Sequence, residues 1–241
     1  FKMIQSNQNP YLSIVIPVYN EQSRITSTLE KLTSFLNNQN FTWQILIIND
    51  GSTDNTENIV KEWIEKNSKI SLKSISHQGK GSAIKKGMLL ASGSYRFMCD
   101  ADLAMPINEL SKFLNAVEKN YDIVIGSRQI SGSDRIGEPL LRHIMGRIFN
   151  IITRLLLIPG IHDTQCGFKC FSAKAVKQIF PIQKIKGFAF DTEILYLAHK
   201  RKLSIYEIPI TWQYHSDSKV SIIKDSITMF KDILFIWLRI R

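Results

Sequence analysis

The stretch Tyr95-Arg96-Phe97-Met98-Cys99-Asp100-Ala101-Asp102 indicates the fold more clearly than any other part of the sequence. Its apolar residues are typical of a buried strand, and Asp100 and Asp102 follow where that strand ends. In open α/β sheets, ligands bind in the crevice beyond the carboxyl ends of the strands. Two carboxylates spaced in this way suit a divalent cation held against a diphosphate, because Mg²⁺ takes one or two carboxylates together with phosphate oxygens. A lone pair of this kind is more often a solvated turn, so the interpretation depends on its surroundings.

Strands and helices alternate along the first half of the chain. Apolar, β-branched runs predict strands at 12–17, 43–48, 70–76, 95–99 and 121–125, with helical patterns between them. This alternation favours an α/β protein with a doubly wound, mostly parallel sheet flanked by helices. Asp54, with Glu57 three residues on, is the predicted N-cap of the second helix. Each polar cluster follows a strand, so we expect the clusters to meet at one edge of the sheet.

The composition is that of a globular protein, since 44% of the 241 residues are hydrophobic and 22% are charged. The length predicts one domain with a substantial core. The net charge of +10 predicts acidic partners, which are nucleic acid, anionic lipid or phosphorylated substrates. Cys99, Cys166 and Cys170 match neither a disulfide framework nor a zinc site, and we expect a reducing compartment.

The loops after the first three predicted strands carry weaker signals. Gly79-Lys80-Gly81 suits phosphate binding by backbone amides, but short glycine loops are usually turns, and the lysine-serine/threonine ending of a P-loop is absent. Glu21 suits a ribose hydroxyl, or simply the start of a helix. Asp50 suits a base or ribose, or ordinary turn chemistry. No G-x-G-x-x-G follows the first strand, which disfavours a dinucleotide-binding domain.

Several motifs occur in a particular order: Pro17-Val18-Tyr19-Asn20-Glu21, Asp50-Gly51-Ser52-Thr53-Asp54, Gly79-Lys80-Gly81, Asp100-Ala101-Asp102 and Gly126-Ser127-Arg128. Together they resemble the family 2 inverting glycosyltransferases of GT-A fold. The later motifs Asp163-Thr164-Gln165-Cys166-Gly167-Phe168-Lys169 and Phe190-Asp191-Thr192-Glu193 resemble the branch that acts on polyprenyl phosphates. Within that branch, the motifs are most similar to those of dolichyl-phosphate β-glucosyltransferases, followed by dolichyl-phosphate mannosyltransferases. The resemblance extends from about Leu12 to Lys219.

The resemblance implies roles for residues of every motif. The residues expected to bind the nucleotide sugar are Pro17, Tyr19, Glu21, Ile48, Asp50, Lys80, Asp100, Ala101, Asp102 and Lys219. Mg²⁺ or Mn²⁺ is expected on Asp100 and Asp102, with Asp102 as the main ligand. Arg128 is expected between the donor and acceptor phosphates, and Arg142 on the acceptor phosphate.

The resemblance also assigns three residues of the later motifs. Gln165 and Lys169 are expected to shape the sugar pocket, and Asp191 occupies the place of the base in relatives with hydroxyl acceptors. A phosphate monoester, with a second pKa near ~6, is already mostly ionised at neutral pH. Asp191 is therefore expected mainly to orient the acceptor or its arginines, with base catalysis or a helix N-terminal charge as alternatives.

Some positions depart from the family pattern. Mannosyltransferases commonly carry glutamine where this chain has Ala104, and arginine where it has Gln213. Both differences disfavour the mannosyl interpretation, and they leave a metal shell that water would complete. His77 stands where the family often has asparagine.

The second half of the chain is basic and amphipathic. On a helix predicted at 140–157, His143, Arg147 and Arg154 share a narrow arc, which suits either a helix lying on an anionic membrane or a packed helix with a solvated basic face. Residues 221–241 predict another amphipathic helix, which resembles an interfacial segment. We expect a glycosyltransferase domain at 1–220, with an acceptor- and membrane-facing part at about 128–160, and a C-terminal helix at 221–241.

These observations predict transfer of a hexose, from UDP-glucose by resemblance, to a polyprenyl or dolichyl phosphate. GDP-mannose as donor and a sugar or protein hydroxyl as acceptor remain alternatives, as does a basic membrane- or nucleic-acid-binding module without activity. A sugar-nucleotide pyrophosphorylase would carry a glycine- and arginine-rich loop after the first strand, and this chain does not. Because the arginines alternate with aliphatic rather than aromatic residues, nucleic acid is not an expected partner.

The sequence also predicts a location. No apolar run reaches the ~18 residues that span a bilayer, and no leader pattern is recognisable at Phe1. We expect the protein at the cytoplasmic face of a membrane, bound peripherally unless membrane helices follow Arg241.

Overall fold

A seven-stranded, mostly parallel sheet forms the centre of the protein. The structure is a computed structural model that describes residues 9–214 and 222–239. The strands are β1 (Leu12–Val18), β2 (Trp43–Asn49), β3 (Ile70–Ser74), β4 (Tyr95–Met98), β5 (Ile123–Ser127), β6 (Asp134–Ile136), β7 (Lys169–Ser172), β8 (Ile205–Pro209) and β9 (Thr211–Gln213). The sheet has the order β3-β2-β1-β4-β7-β5-β8, while β6 and β9 pair in a separate ribbon. The predicted fold class is confirmed.

Helices cover both faces of this sheet. They are α1 (Ile25–Asn37), α2 (Thr56–Lys66), α3 (Lys80–Leu90), α4 (Leu110–Val117), α5 (Leu140–Leu156), α6 (Ala173–Ile179), α7 (Phe190–Lys200) and α8 (Ile222–Arg239). Ile14 and Ile16 of β1 pack in one core with α1 and α4, while Val15 packs in the other with α3 and α7. Because both faces are buried, the central strands are continuous apolar runs without a polar alternation.

One central strand runs against the others. β7 pairs antiparallel with β4, where Phe97 lies opposite Cys170, and with β5, where Ile125 lies opposite Lys169. The sequence analysis placed no strand there, because β7 has only four residues and begins at Lys169, the last residue of a motif that was interpreted through its resemblance alone. Its reversed direction brings the preceding residues, 163–168, to the edge of the sheet where β4 and β5 end.

The predicted N-cap of α2 is wrong. α2 begins at Thr56 with Asn55 as its N-cap, and Asp54 Oδ1 instead accepts from the Thr56 N–H at 3.0 Å. Glu57 does not complete a capping box, because its Oε2 accepts hydrogen bonds from Asn49 Nδ2 at 2.8 Å and Ser74 Oγ at 2.9 Å. The acidic side chains at this helix start therefore hold neighbouring loops and strands together.

The C-terminal helix packs onto the rest of the protein. α8 contacts α5 and α7, and the rings of Phe149 and Phe230 meet edge to face with centroids 5.9 Å apart. Within residues 9–214 and 222–239, no helix combines the length and apolar character needed to cross a bilayer.

Candidate active site

The ends of β1 to β5 open into one cleft with a volume of about 500 Å³. The predicted site residues that line it are Pro17, Tyr19, Glu21, Asp50, Lys80, Asp100, Ala101, Asp102, Arg128, Gln165 and Asp191. α5 and α8 contribute Met145, Phe149 and Met229 to the same cleft. The expectation that the polar clusters meet at one edge of the sheet is therefore confirmed.

Tyr19 and Asp50 form a compact arrangement around His77. The rings of Tyr19 and His77 stack with centroids 4.2 Å apart and an interplanar angle of 25°. The buried carboxylate of Asp50 accepts from the N–H groups of Gln78 at 2.9 Å and Gly79 at 2.8 Å, and its Oδ2 lies 2.9 Å from His77 Nδ1. Asp50 thus fixes the 77–79 loop, and the stacked rings provide an aromatic surface of the kind on which planar ligands stack.

Asp100 is held between a lysine and a glycine. Lys80 Nζ lies 2.6 Å from Asp100 Oδ1. A Cβ added to Gly167 would lie 2.1 Å from Asp100 Oδ2, so any larger residue at position 167 would displace this carboxylate. Burial opposes the charge of Lys80, but the charges of Asp100, Asp191 and Asp102 outweigh it and raise the pKa of Lys80. Lys80 is therefore a cation among three carboxylates.

Asp102 lies in a tight turn. Its Oδ1 accepts from the Ala104 N–H at 3.1 Å, and Leu103 has a φ of 45°. Thr28 Oγ1 of α1 donates to the Ala101 carbonyl at 2.5 Å and so fixes the middle of the turn. Among the described residues, no group of three or more metal-binding side chains occurs. The pair of carboxylates nevertheless fits a hard cation such as Mg²⁺, for which phosphate oxygens and water complete the shell.

Asp191 is supported by a buried lysine. Lys169 Nζ donates to Asp191 Oδ1 and to the carbonyl oxygen of Cys166. Burial raises the pKa of Asp191, although the charges of Lys169 and Lys80 act in the opposite direction. Lys169 is fully buried behind Asp191 and does not line the cleft, so it would shape a sugar pocket, as predicted, only through Asp191. Gln165 does line the cleft, and its Nε2 donates to Thr192 Oγ1 at 2.9 Å.

Arg128 is fixed by Asp163 through a two-point ion pair. Arg128 Nε donates to Asp163 Oδ2 at 2.7 Å, Nη2 donates to Oδ1 at 2.9 Å, and the Arg128 N–H also donates to Oδ2 at 2.9 Å. The guanidinium lies 5.4 Å from the ring centroid of Trp212. Burial favours a raised pKa for Asp163, but the charge and hydrogen bonds of Arg128 lower this pKa to about 2. These contacts hold the arginine in one orientation at the cleft.

Three predicted residues remain to be located. Ile48 is fully buried, and a Cβ added to Gly87 of α3 would lie 2.9 Å from its Cγ1. Because strand side chains alternate between faces, Ile48 enters the core beneath α3 and does not line the cleft as predicted. Arg142 lies on α5, but its side chain is outside the described part of the structure. Lys219 lies outside the described residues altogether.

The sequence analysis gave no role to Asp163, Arg135, Gln129, Phe188 or Trp212. Arg128 and Asp163 are 35 residues apart, so only the fold brings them together. Asp163 nevertheless begins one of the motifs quoted above, and this position in a motif could have indicated a role for it. Phe188 and Trp212 line the cleft as single aromatic residues without a pattern that would predict it.

The exposed face of α5 is aliphatic. Six of its large apolar side chains lie on one side of the helix and are between 44% and 76% exposed, namely Leu140, Leu141, Ile144, Ile148, Ile151 and Leu155, while Leu156, 45% exposed, lies apart from them. At ~100° per residue these positions fall within an arc of about 100°, which we term the aliphatic stripe. His143, Arg147 and Arg154 fall beside it. The basic arc predicted from the sequence therefore borders an exposed aliphatic surface, and the opposite side of the helix meets the cleft through Phe149 and Asn150.

Comparison with known proteins agrees with this architecture. The family model described as glycosyl transferase family 2 matches residues 13–180. A protein named dolichyl-phosphate beta-glucosyltransferase from Dictyostelium discoideum is 38% identical over 257 residues, which cover 99% of this chain and 79% of the relative. Proteins of the same name from Saccharomyces cerevisiae and Homo sapiens are 34% and 32% identical, covering 96% and 95% of this chain and 75% of each relative.

Solved structures share the fold. Glucosyl-3-phosphoglycerate synthase from Mycobacterium tuberculosis, solved with uridine diphosphate, has a TM-score of 0.71 at 16% identity, covering 95% of this chain and 79% of that one. The same enzyme solved with Mn²⁺, uridine diphosphate and glucosyl-3-phosphoglycerate also has a TM-score of 0.71, at 15% identity, with 95% and 80% covered. At this level of identity the likeness establishes the fold alone.

Proposed function

The chain belongs to glycosyl transferase family 2, and we propose that it transfers glucose from UDP-glucose to dolichyl phosphate or another polyprenyl phosphate at a membrane surface. The relatives named dolichyl-phosphate beta-glucosyltransferase support the donor sugar and the acceptor. The observation that carries the proposal is the single cleft that Asp100, Asp102 and Arg128 share. That cleft joins carboxylates suited to a cation–diphosphate complex to an arginine suited to a second phosphate.

The donor half of the cleft is proposed to run from the stacked rings of Tyr19 and His77 to Asp102. The rings would receive the uracil, and Glu21 would accept a hydrogen bond from the ribose. Asp102, with Asp100 beside it, would hold Mg²⁺ or Mn²⁺, which when bound neutralises charge that develops on the leaving diphosphate. Lys80 stands 2.6 Å from Asp100 and would donate to the same diphosphate.

The reaction is proposed to be an in-line displacement with inversion. An oxygen of the acceptor phosphate forms a bond to the anomeric carbon of glucose while the bond from that carbon to the diphosphate oxygen breaks, and UDP leaves. The attacking phosphate is already mostly ionised at neutral pH, since its second pKa is near ~6. Arg128 would offset the repulsion between the two phosphates through its positive charge, while Asp163 holds its Nε and Nη2. Arg142, on α5, is proposed to bind the acceptor phosphate as well.

Asp191 is proposed to orient the site without acting as a base. Its Oδ1 accepts a hydrogen bond from the buried Lys169, so a proton taken from a substrate would weaken that ion pair. This arrangement disfavours a hydroxyl acceptor, which would need a base to remove its proton.

The choice of donor is supported by two adjacent positions. The Gln213 N–H donates to the Ala104 carbonyl oxygen at 2.7 Å, so the two positions that depart from the mannosyltransferase pattern are neighbours beside Asp102. Because both departures from the mannosyltransferase pattern lie next to the proposed metal ligand, we expect them to affect donor binding, and this favours UDP-glucose over GDP-mannose.

The aliphatic stripe is proposed to lie on the cytoplasmic face of a membrane. Helices of this kind bury their apolar face at the lipid boundary while basic residues meet anionic headgroups. α5 contacts the cleft through Phe149 and carries the stripe on its outer face, so a lipid phosphate could enter the cleft while its chains stay in the bilayer.

A transfer assay with separated donors and acceptors tests this proposal. The full chain is incubated with UDP-glucose or GDP-mannose, with farnesyl phosphate or farnesol, and with Mg²⁺, Mn²⁺ or a chelator. We expect glucosylated farnesyl phosphate only with UDP-glucose, the phosphorylated acceptor and a divalent cation. Transfer to farnesol, or transfer from GDP-mannose at an equal rate, would contradict the proposal.

A further inference from the structure

Two buried nitrogen donors next to Arg128 lack a hydrogen-bond acceptor within the described part of the chain. They are Arg135 Nη2 and Gln129 Nε2, and both side chains line the cleft. Buried polar groups are almost always paired, and a charged donor without an acceptor is especially costly. Two such donors on side chains that line one cleft indicate a ligand that supplies acceptor oxygens.

The rest of the Arg135 guanidinium is firmly held. Its Nε donates to the Arg128 carbonyl oxygen at 2.9 Å, and its Nη1 donates to Glu138 Oε2 at 2.6 Å. His143 Nδ1 lies 3.0 Å from the same Glu138 oxygen. The Arg135 and Glu138 side chains are only 11% and 6% exposed. Fixed on two sides in this way, the guanidinium has Nη2 as its remaining donor for a ligand.

We infer that Arg135 and Gln129 bind the phosphate of the acceptor together with Arg128, and that Glu138 and His143 position Arg135. This inference rests on the proposed function. Arg128 alone is a weak anion site, because Asp163 already accepts from its Nε and Nη2. A phosphate carrying close to two negative charges therefore needs further donors, and a second arginine supplies them in a planar fork.

The position of Arg135 in the chain assigns this phosphate to the acceptor and not to the donor. Arg135 lies in β6, and Glu138 is followed directly by Pro139, the N-cap of α5. The aliphatic stripe begins at Leu140, at the start of that helix. A lipid whose chains stay in the bilayer beneath the stripe would present its phosphate at this end of the cleft, whereas Asp100 and Asp102 would face the donor diphosphate.

Calorimetric titration separates the two phosphate sources. Farnesyl phosphate is titrated into the full chain with UDP present, and UDP is titrated alone. The test variants are the double substitution Arg135→Gln/Glu138→Gln, which removes both charges of the pair, and Gln129→Met. Arg201→Gln is the matched control, because Arg201 is an exposed arginine at the end of α7 that does not line the cleft. Melting temperatures of all variants check the fold.

We expect the double variant to bind farnesyl phosphate about tenfold more weakly, or about 1.4 kcal/mol, and Gln129→Met a few-fold more weakly. The affinity for UDP should change in neither, and the control should match the wild type. Unchanged farnesyl phosphate binding, or an equal loss for UDP, would overturn the inference. If glucosyl transfer fails although binding depends on Arg135, the proposed function is wrong and the inference stands. If glucosyl transfer occurs but farnesyl phosphate binding does not depend on Arg135, the inference is wrong and the proposed function stands.

Discussion

Lys80 Nζ lies 2.6 Å from Asp100 Oδ1, so the first carboxylate of the Asp100-Ala101-Asp102 turn is paired with a lysine from the first turn of α3. The other oxygen of Asp100 lies against Gly167, where an added Cβ would be 2.1 Å away. The two carboxylates are therefore not equivalent. Asp100 is paired with the cation of Lys80, and we therefore expect a divalent ion to depend more strongly on Asp102.

Asp102→Asn should weaken Mn²⁺ binding in the presence of UDP by more than Asp100→Asn does. Electron paramagnetic resonance titration of free Mn²⁺ measures this without any turnover, and we expect about a tenfold or greater loss for Asp102→Asn, or about 1.4 kcal/mol or more. Equal losses for the two variants would show that the carboxylates act as equivalent ligands.

Lys80→Met should have opposite effects on metal and nucleotide. Removing this cation leaves Asp100 without its partner and relieves repulsion of a metal ion, so Mn²⁺ should bind the protein alone more tightly. UDP without metal should bind about tenfold more weakly, a loss of about 1.4 kcal/mol, because the cation that we propose to face the diphosphate is absent. Lys86→Met is the matched control, since Lys86 is an exposed lysine of the same helix. If Lys80→Met binds UDP normally, the lysine serves only to fix Asp100.

Asp163 should make the free energy of unfolding depend on pH in the acidic range. Its pKa falls from an ordinary value of 3.8 to about 2, so its stabilising effect is fully present above the ordinary value and is lost as the pH falls towards about 2. Asp163→Asn leaves Arg128 without its counter-charge and should cost about 3 kcal/mol near pH 7. Urea unfolding of both proteins measures the difference, which should shrink by about 1 kcal/mol between about pH 6 and pH 3. A difference that does not change with pH would rule out this ion pair as its source.

The sequence predicted the half of the site that lies on parallel strands better than the half that lies beyond β5. Asp50, Asp100 and Arg128 each follow an apolar strand directly, and the topology of a parallel sheet brings such positions to one edge. Asp163 and Lys169 reach that edge through β7, whose antiparallel direction is not signalled by its four residues. Their partners, Arg128 and Asp191, are distant in the chain, and such long-range pairs become visible only in the fold.

Ile48 and Lys169 illustrate the same limit at the level of single side chains. Ile48 lies two residues before the motif that begins at Asp50, Lys169 ends the motif that begins at Asp163, and both side chains are fully buried. In a strand, successive side chains point to opposite faces, so a position in or next to a motif does not decide which side chain meets a ligand. Lys169 enters the protein interior as a buried charge, and it is stable there because Asp191 and the Cys166 carbonyl accept its hydrogen bonds.

Asp191→Asn should destabilise the protein as well as slow transfer, because it leaves Lys169 as a buried cation without a counter-ion. We expect a loss of about 3–5 kcal/mol. The double variant Asp191→Asn/Lys169→Met removes both charges and should recover most of the stability without recovering the turnover number. Urea unfolding and transfer kinetics on each protein check this. A double variant that regains activity would show that Asp191 contributes to the fold and not to the reaction.

Charged substitutions in the aliphatic stripe should separate membrane binding from catalysis. Ile144 and Leu155 are 45% and 76% exposed, and complete burial of a fully exposed side chain of this size contributes about 1.5–3 kcal/mol, so the two together retain a substantial part of that for membrane contact. Ile144→Glu/Leu155→Glu should therefore bind vesicles of phosphatidylcholine and phosphatidylserine at least tenfold more weakly, or about 1.4 kcal/mol, in a sedimentation assay. Its kinetics with farnesyl phosphate in solution should match the wild type, because neither side chain lines the cleft.

Leu89→Glu/Leu90→Glu, at positions 44% and 48% exposed on α3, is the matched control and should bind vesicles normally. Equal losses in both double variants would mean that vesicle binding does not depend on the stripe, since added negative charge alone would then account for the effect.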